Sequence, residues 1–381
     1  MRAVLFGTFN AQHAANVLLA EELRAAGVEV RVCHAPLWEE TRDKQASYFA
    51  PARLVGLGLR WVWLMARLAL RFRYAAAGAE VIVVGFNGQL DVLVARLLAG
   101  GRRVVFAPLV TVSETLVEDR AVYAAGSGMA RILRGLDRLT LAAADIVVSD
   151  TAAHAEWMAC ELDVPRERIT VHLLGAEEVF RPAAQADQAA SLQPGPRLRV
   201  FGYASYLPLH GMDVIARAAR ALAPEEGIAF VLVGDGPERA RVAPLLEGLP
   251  HVSAQHWLPQ DEIVSGLHES DLVLGIFGHS AKAAMVIPNK VWQAAAAGCA
   301  ILTSDTPAIR EVFEPGVSIL TCEPEPGALV ERLRTAANDR AALGPIGTAA
   351  RDAAARQGAL CVRAARWRNT LGMATSGQES A

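Results

Sequence analysis

The stretch Asp271–Glu311, DLVLGIFGHSAKAAMVIPNKVWQAAAAGCAILTSDTPAIRE, decides the reading of the chain. It reads as a strand over Leu272–Ile276, a loop with Gly275 and Gly278, a helix near Pro288–Ala297 and a second strand over Ala300–Thr303. Pro288 stands where a helix can begin, since its missing N–H would be an orphan in the first turn. Gly298 stands just past the helix, where a left-handed C-cap is needed. The helix opens with Ile287, Pro288, Asn289 and Lys290. A lysine beside the unpaired N–H groups of a helix N-terminus makes an anion site suited to phosphate. The same pattern also fits a plain βαβ unit with a solvated Lys290, and this window does not separate the two.

Outward from it, 381 residues are enough for two domains with a core each. A composition 52% hydrophobic and 20% charged indicates an apolar globular protein, and a net charge of −3 gives no basic field for nucleic acid. Cys33, Cys160, Cys299, Cys322 and Cys361 match no metal spacing and read as small hydrophobes in a reducing compartment. The opening MRAVLFGTFN lacks the apolar core of a signal peptide, and no apolar run reaches the roughly 18 residues of a membrane span. A cytoplasmic protein is expected.

In chain order, Arg2–Phe6 is a strand, residues 14–26 a helix and Val28–Cys33 the next strand. This is the opening of a doubly wound sheet, whose ligands lie beyond the carboxyl ends of the strands. Gly7, Thr8, Asn10 and His13 are therefore expected to face a cleft, although the full G-x-G-x-x-G pattern is missing. Further strands fall at Val81–Val84, Arg103–Phe106, Ile146–Ser149 and Ile169–Leu173, with helices over Asp91–Leu98 and Leu133–Ala144. After the second of these strands, Thr111, Ser113, Glu114, Asp119 and Arg120 are candidates for cleft chemistry, unless Ser113 and Glu114 only cap the following helix. Asp150 and Thr151 are expected to cap a helix with His154 in its first turn, where it would be an acid, a ligand contact or a surface residue. Residues 181–196, rich in Pro, Ala and Gln, read as a linker. Beyond them the alternation resumes, with turns at Gly234-Asp235-Gly236-Pro237 and Trp257-Leu258-Pro259. The expected architecture is α/β: two Rossmann-like doubly wound domains, 1–180 and 197–350, facing each other across a cleft, with residues 351–373 returning as a helix to the first.

One segment stands apart. Residues 51–78, PARLVGLGLRWVWLMARLALRFRYAAAG, hold Arg53, Arg60, Arg67, Arg71 and Arg73 and no acid. Arg53, Arg60 and Arg67 recur every seven residues, close to one helical face, and Trp61, Trp63, Leu64, Met65, Leu68 and Phe72 cover much of the rest. That describes either a basic amphipathic helix lying peripherally on an anionic membrane or a helix packed on the sheet with an arginine-rich outer face.

The runs GYASYLPLHGMDVIARAARAL (202–222), FVLVGDGPER (230–239) and LGIFGHSAKAAMVIPNKVWQAAAAGCAILTSDTPAIREV (274–312) resemble a bacterial family-4 glycosyltransferase of the GT-B fold. LDRLTLAAADIVVSDTAAHAEWM (136–158) resembles the end of its N-terminal domain. The resemblance implies retaining transfer of a sugar from a nucleotide-diphosphate sugar, UDP- or GDP-linked, bound by the second domain. The acceptor, a glycan or lipid-linked saccharide of cell-surface polysaccharide synthesis, would sit on the first. It places the base near Trp257 and Leu258, beside Gly234, Asp235 and Gly236, and the diphosphate on Ile287, Pro288, Asn289 and Lys290. It also puts Ser205, Tyr206, His210, Gly211 and Lys282 around the donor, with Gly7 and Thr8 from the first strand end.

This sequence departs from that family's pattern. Gln293 occupies the position of the ribose-binding glutamate and Met285 the acidic position eight residues earlier. His210 replaces a lysine before Gly211, and its partner arginine is missing, so Lys282, Lys290 or a protonated His210 would face the diphosphate. With no D-x-D motif in the chain, no cofactor and no divalent metal are expected. On this account helix amides and lysines stabilise the leaving group, and Glu114, Asp150 and His154 orient substrates. Two alternatives use the same fold: a non-hydrolysing sugar-nucleotide epimerase, for which Met285 and Gln293 lack the needed acids, and a nucleotide-sugar-binding subunit without catalysis.

Overall fold

The computed structural model describes residues 1–11, 13–37, 51–181, 195–223, 225 and 227–373, and for 51–54 the backbone only. Most of the expected linker, 182–194, lies outside the described residues. The chain divides into two compact units. The first comprises Met1–Val117, Ala121–Leu173 and Leu360–Ala381, the second Glu118–Arg120 and Leu174–Ala359.

In the first unit six parallel strands, β1 (Arg2–Gly7), β2 (Glu29–His34), β3 (Val81–Val84), β4 (Arg103–Phe106), β5 (Ile146–Ser149) and β6 (Ile169–Val171), pair in the order β2-β1-β3-β4-β5-β6. Central strands of such a sheet are covered on both faces, which is why β3 reads VIVV without a polar position. Alternate residues feed two cores. Val4, Phe6, Ile82, Val84 and Phe106 pack with Leu64, Met65, Leu68 and Phe72 of the helix Pro51–Ala75. Ala3, Leu5, Val81, Val83 and Val105 pack with Leu19 and Leu23 of the helix Ala14–Ala25 and with Trp367 and Leu371 of the helix Leu360–Leu371.

In the second unit β7 (Leu198–Tyr203), β8 (Ile228–Val233), β9 (Val252–Gln255), β10 (Leu272–Leu274), β11 (Ile301–Ser304) and β12 (Leu320–Cys322) pair in parallel in the order β12-β11-β10-β7-β8-β9. Strand order therefore reverses between β1 and β3 in one sheet and between β7 and β10 in the other. Such switch points open a crevice at the carboxyl ends of the strands.

Two expected helices change their limits. The helix placed at Leu133 begins at Gly128, because the Ser127 hydroxyl accepts the Ala130 N–H at 3.1 Å and offsets the low propensity of glycine. The single C-terminal helix is two. Ala359 is extended, with ψ 142°, and separates Leu343–Gly358 in the second unit from Leu360–Leu371 in the first. A Cβ on Gly358 would lie 3.0 Å from the Trp292 ring and 3.1 Å from the Gly175 Cα, so the close packing that ends the first helix needs a residue without one.

Candidate functional site

At the β7/β10 switch point the two loops are laced together. Phe277 donates its N–H to the His210 carbonyl and Gly278 donates to Leu209, each at 3.1 Å. Gly211 has φ +61°, and a Cβ there would lie 2.2 Å from the Phe277 carbonyl carbon, so only glycine lets the loops approach. The helix Asn289–Ala296 begins beside them, with Pro288 as its N-cap residue rather than its first helical one.

This geometry gathers three basic side chains. Lys290 is buried and its Nζ donates to the Gly275 carbonyl at 3.0 Å. Burial brings its ammonium down to about 7. His210 is also buried, and its Nδ1 accepts the Leu207 N–H at 3.1 Å, so the ring proton sits on Nε2. Burial, then Lys290 and Lys282, hold its pKa well below that of an ordinary histidine. The expectation of a protonated His210 is corrected accordingly: it is a neutral donor. Lys282 is buried near Asp119, whose carboxyl is pushed up by burial against the opposing charge of that lysine. The Ser280 hydroxyl donates to Asp119 at 3.0 Å.

Gln293 lies one turn on, but its amide is engaged. Its Oε1 accepts the Tyr203 hydroxyl at 2.9 Å and its Nε2 donates to the Glu177 carboxylate at 3.1 Å. Glu177 is thus part of the neighbourhood, although no motif in the sequence marks it. Met285 and Ile287 are buried apolar side chains.

The glycines of the 234–237 turn let backbone meet backbone, since a Cβ on Gly234 would lie 1.9 Å from the Ala204 carbonyl oxygen. The turn holds Asp235 2.8 Å from His256 Nδ1 and 3.3 Å from Arg239 Nε, and the His256 bond keeps its carboxyl below the usual range. Trp257 is exposed, Leu258 half-buried and Ser205 exposed. Tyr206 differs from its expected role: its ring is buried in the core of the second unit, under the Arg239 guanidinium at 5.6 Å. Its left-handed backbone, φ 42°, is a strain that the packing sustains.

The first unit brings Glu114, Asp150 and His154 together. The Thr151 hydroxyl caps the helix Ala152–Leu162 by accepting the His154 N–H at 3.0 Å. His154 then reaches Asp150 Oδ1 from Nδ1 at 2.8 Å and Glu114 Oε2 from Nε2 at 3.1 Å. All three are buried, which removes the surface reading of His154. Burial alone would lower the imidazole, but the Glu114 and Asp150 carboxylates outweigh it and bring it up to about 10. His154 is a fixed imidazolium that donates from both nitrogens and has no lone pair to act as a base. Glu114 also accepts the Thr111 N–H at 3.0 Å and opens a π-helical turn, Glu114–Asp119, a form frequent at functional sites. The Thr111 hydroxyl accepts the Glu114 N–H in return at 3.3 Å, so Glu114 does cap this helix through a capping box, while the Val112 and Ser113 N–H groups go to Asp137 of a later helix, at 3.0 and 2.7 Å.

Thr8 does not offer its polar groups outward as expected. It is buried, and Asp91 accepts its N–H at 2.6 Å and its hydroxyl at 3.0 Å. Gly7 is needed beside it, since a Cβ would lie 2.5 Å from Asp91 Oδ2. Among the described residues no cluster of His, Cys, Asp or Glu could hold a metal ion.

Comparison with known proteins agrees with both halves of this description. The family model described as "Glycosyltransferase Family 4" matches residues 15–176, and that described as "Glycosyl transferase-like" matches 214–369. No curated protein matches significantly. Solved structures similar over nearly the whole chain include the sucrose-phosphate synthase of Thermosynechococcus elongatus, at TM-score 0.72 and 14% identity over 97% of this chain and 98% of that one. Another is Anabaena HepE in complex with UDP-glucose, at TM-score 0.66 and 15% identity over 98% and 99%. A third is the lipopolysaccharide outer core galactosyltransferase WaaB, at TM-score 0.58 and 11% identity over 97% and 99%. At these identities the structures establish the shared fold alone.

Proposed function

This chain belongs to the family-4 glycosyltransferases of GT-B fold, and from that premise we propose that it moves a hexosyl group, with retention, from a nucleotide-diphosphate sugar to a hydroxyl acceptor. The observation that carries the proposal is the buried group of Lys290, Lys282 and His210 at the β7/β10 switch point. An uncharged interior has no use for two lysines, whereas a diphosphate does. The binding of UDP and UDP-glucose by HepE supports a uridine donor here, with guanosine as the other candidate.

Sugar departure leaves negative charge on the diphosphate, and preorganised donors aimed at that charge lower the barrier. The donors are the amides opening the helix Asn289–Ala296, a Lys290 that gains its proton as the anion enters, Lys282, and the Nε2–H of His210. No divalent metal enters this account. The acceptor hydroxyl attacks the face the leaving group departs from, and a diphosphate oxygen takes its proton. The acceptor, a glycan or lipid-linked saccharide, belongs to the first unit, where Glu114, the His154 imidazolium and Asp150 form a rigid polar support. With a lipid-linked acceptor the enzyme works at the cytoplasmic face of a membrane. Proton NMR of the newly made glycoside tests the reading: the donor's anomeric configuration is expected in the product. An inverted anomer would remove the retaining mechanism, and interconversion of the sugar nucleotide without acceptor would favour the epimerase.

A further inference from the structure

The helix Pro51–Ala75 has two apolar sides. Leu64, Met65, Leu68 and Phe72 are buried against the sheet of the first unit. Leu59, Val62, Trp63, Leu70 and Tyr74 lie on the opposite side and are exposed, Leu59 to 68% and Leu70 to 75%. Placed at 3.6 residues per turn, Arg60, Arg67 and Arg71 line one flank between the two sides. All three are exposed, and the Arg67 guanidinium lies 4.6 Å over the Trp63 ring. The two readings that the sequence left open are therefore compatible, because one face packs while the other is apolar and basic.

The direction of the helix adds to this. Trp61 Nε1 donates to Asp91 Oδ1 at 2.7 Å, and Asp91 in turn accepts the Thr8 N–H, so Trp61 lies at the carboxyl end of β1. Near the other end Arg2, the first residue of β1, donates to the Ala77 carbonyl at 3.1 Å. The helix runs antiparallel to β1, and its turns from Pro51 to Arg60 extend about 15 Å beyond Trp61 at 1.5 Å per residue, with Leu57 among them still packed on the core. That is the end at which such sheets bind ligands.

We propose that this outer stripe seats the protein on an anionic bilayer. Leu59, Val62, Trp63 and Leu70 enter the acyl boundary, Arg60, Arg67 and Arg71 meet the headgroups, and the turns before Trp61 hold the strand ends of the first unit against the membrane. The partner follows from charge and polarity: residues 51–78 carry five arginines and no acid. No described helix is long and apolar enough to cross a membrane, so the stripe lies in the interface plane. The seat rests on the reading of the acceptor as lipid-linked only for its purpose, not for its existence.

Co-sedimentation with vesicles tests it. Wild type is expected to sediment with phosphatidylglycerol–phosphatidylethanolamine vesicles and to stay in the supernatant with phosphatidylcholine vesicles. Arg60→Gln/Arg67→Gln/Arg71→Gln is expected to weaken partitioning about 100-fold, and Leu59→Gln/Leu70→Gln at least about tenfold. Circular dichroism and the thermal shift with UDP should match wild type in both variants, because these side chains project from a helix whose packed face is untouched. That shift reports the donor reading separately: its loss in wild type with vesicle binding intact would sink the donor site and leave the seat. Brominated-lipid quenching of wild-type fluorescence, reduced in Trp63→Phe, is expected without any charge change. Wild type that ignores anionic vesicles, or variants that sediment like wild type, would overturn the seat. So would a dimer abolished by Leu59→Gln/Leu70→Gln in a wild type that does not bind vesicles.

Discussion

Lys290 gives its Nζ hydrogen bond to the carbonyl oxygen of Gly275, 3.0 Å away and 15 residues earlier, just past the carboxyl end of β10. A carbonyl is a weak counterpart for a buried ammonium, which is why desolvation brings Lys290 down to about 7. An entering diphosphate would reverse that preference. Lys290→Ala is therefore expected to lower turnover by about 100- to 1,000-fold with a much smaller change in acceptor KM. Wild-type turnover in steady-state kinetics of this variant would exclude Lys290 from the chemistry.

The same residue sets a pH dependence of stability. Its folded pKa, about 7, lies below the ordinary lysine value of 10.5, so the unfolded chain binds more proton between them. Stability of the second unit should rise with pH across that window and fall as pH drops through it. Lys290→Met should flatten the slope in thermal melts. An unchanged slope would show that Lys290 titrates normally.

His154 works in the opposite sense in the first unit. Its folded pKa, about 10, lies above the ordinary 6.5, so the native state holds the extra proton. The stability it contributes is fully present below pH 6.5 and is lost as pH rises through about 10. His154→Gln should remove that decline, and Glu114 and Asp150, left buried without the cation, should destabilise the unit by about 3–5 kcal/mol. Hydrogen exchange along β5 measures the loss, and unchanged protection there would contradict the imidazolium.

Gln293 and Glu177 make a reciprocal test. Gln293→Glu, which restores the usual family residue, would set a second carboxylate against Glu177, now 3.1 Å from the amide nitrogen. It is expected to destabilise the second unit by about 1–3 kcal/mol, and Gln293→Glu/Glu177→Gln to recover most of that. A stable single variant with better donor affinity would mean that Gln293 does not act through Glu177.

The returning helix depends on a buried pair. Arg363 bonds Glu22, and Trp367 Nε1 donates to the other Glu22 oxygen at 2.7 Å. Arg363→Leu is expected to cost about 3–5 kcal/mol, read as lost exchange protection in the helices Ala14–Ala25 and Leu360–Leu371. Glu22→Leu/Arg363→Leu should cost less than either single change.

Much of this was legible in the sequence because both-sided burial makes parallel strands apolar runs, and glycine and proline punctuate them. Thr151 as a cap and His154 in the first turn follow from local chemistry. What stayed hidden depends on long-range packing. Glu177 reaches Gln293 across 116 residues, and Asp91 reaches Thr8 across 83, so neither forms a motif. The break at Ala359 was hidden because an alanine-rich run on both sides favours a continuous helix until Gly358 meets Trp292. His210 looked cationic beside a phosphate site, but its burial, reinforced by the two lysines that make the site attractive to anions, keeps this imidazole neutral.

The site of Lys290, Lys282 and His210 is expected to bind a nucleoside diphosphate. Calorimetric titration of wild type and Lys290→Gln with UDP and GDP, one pH unit below and one above about 7, tests it most directly. Wild type should bind more tightly at the lower pH, by up to about tenfold, and the variant should show neither that gain nor wild-type affinity. Absence of heat with either nucleotide, or equal binding by wild type and Lys290→Gln at both pH values, would contradict it.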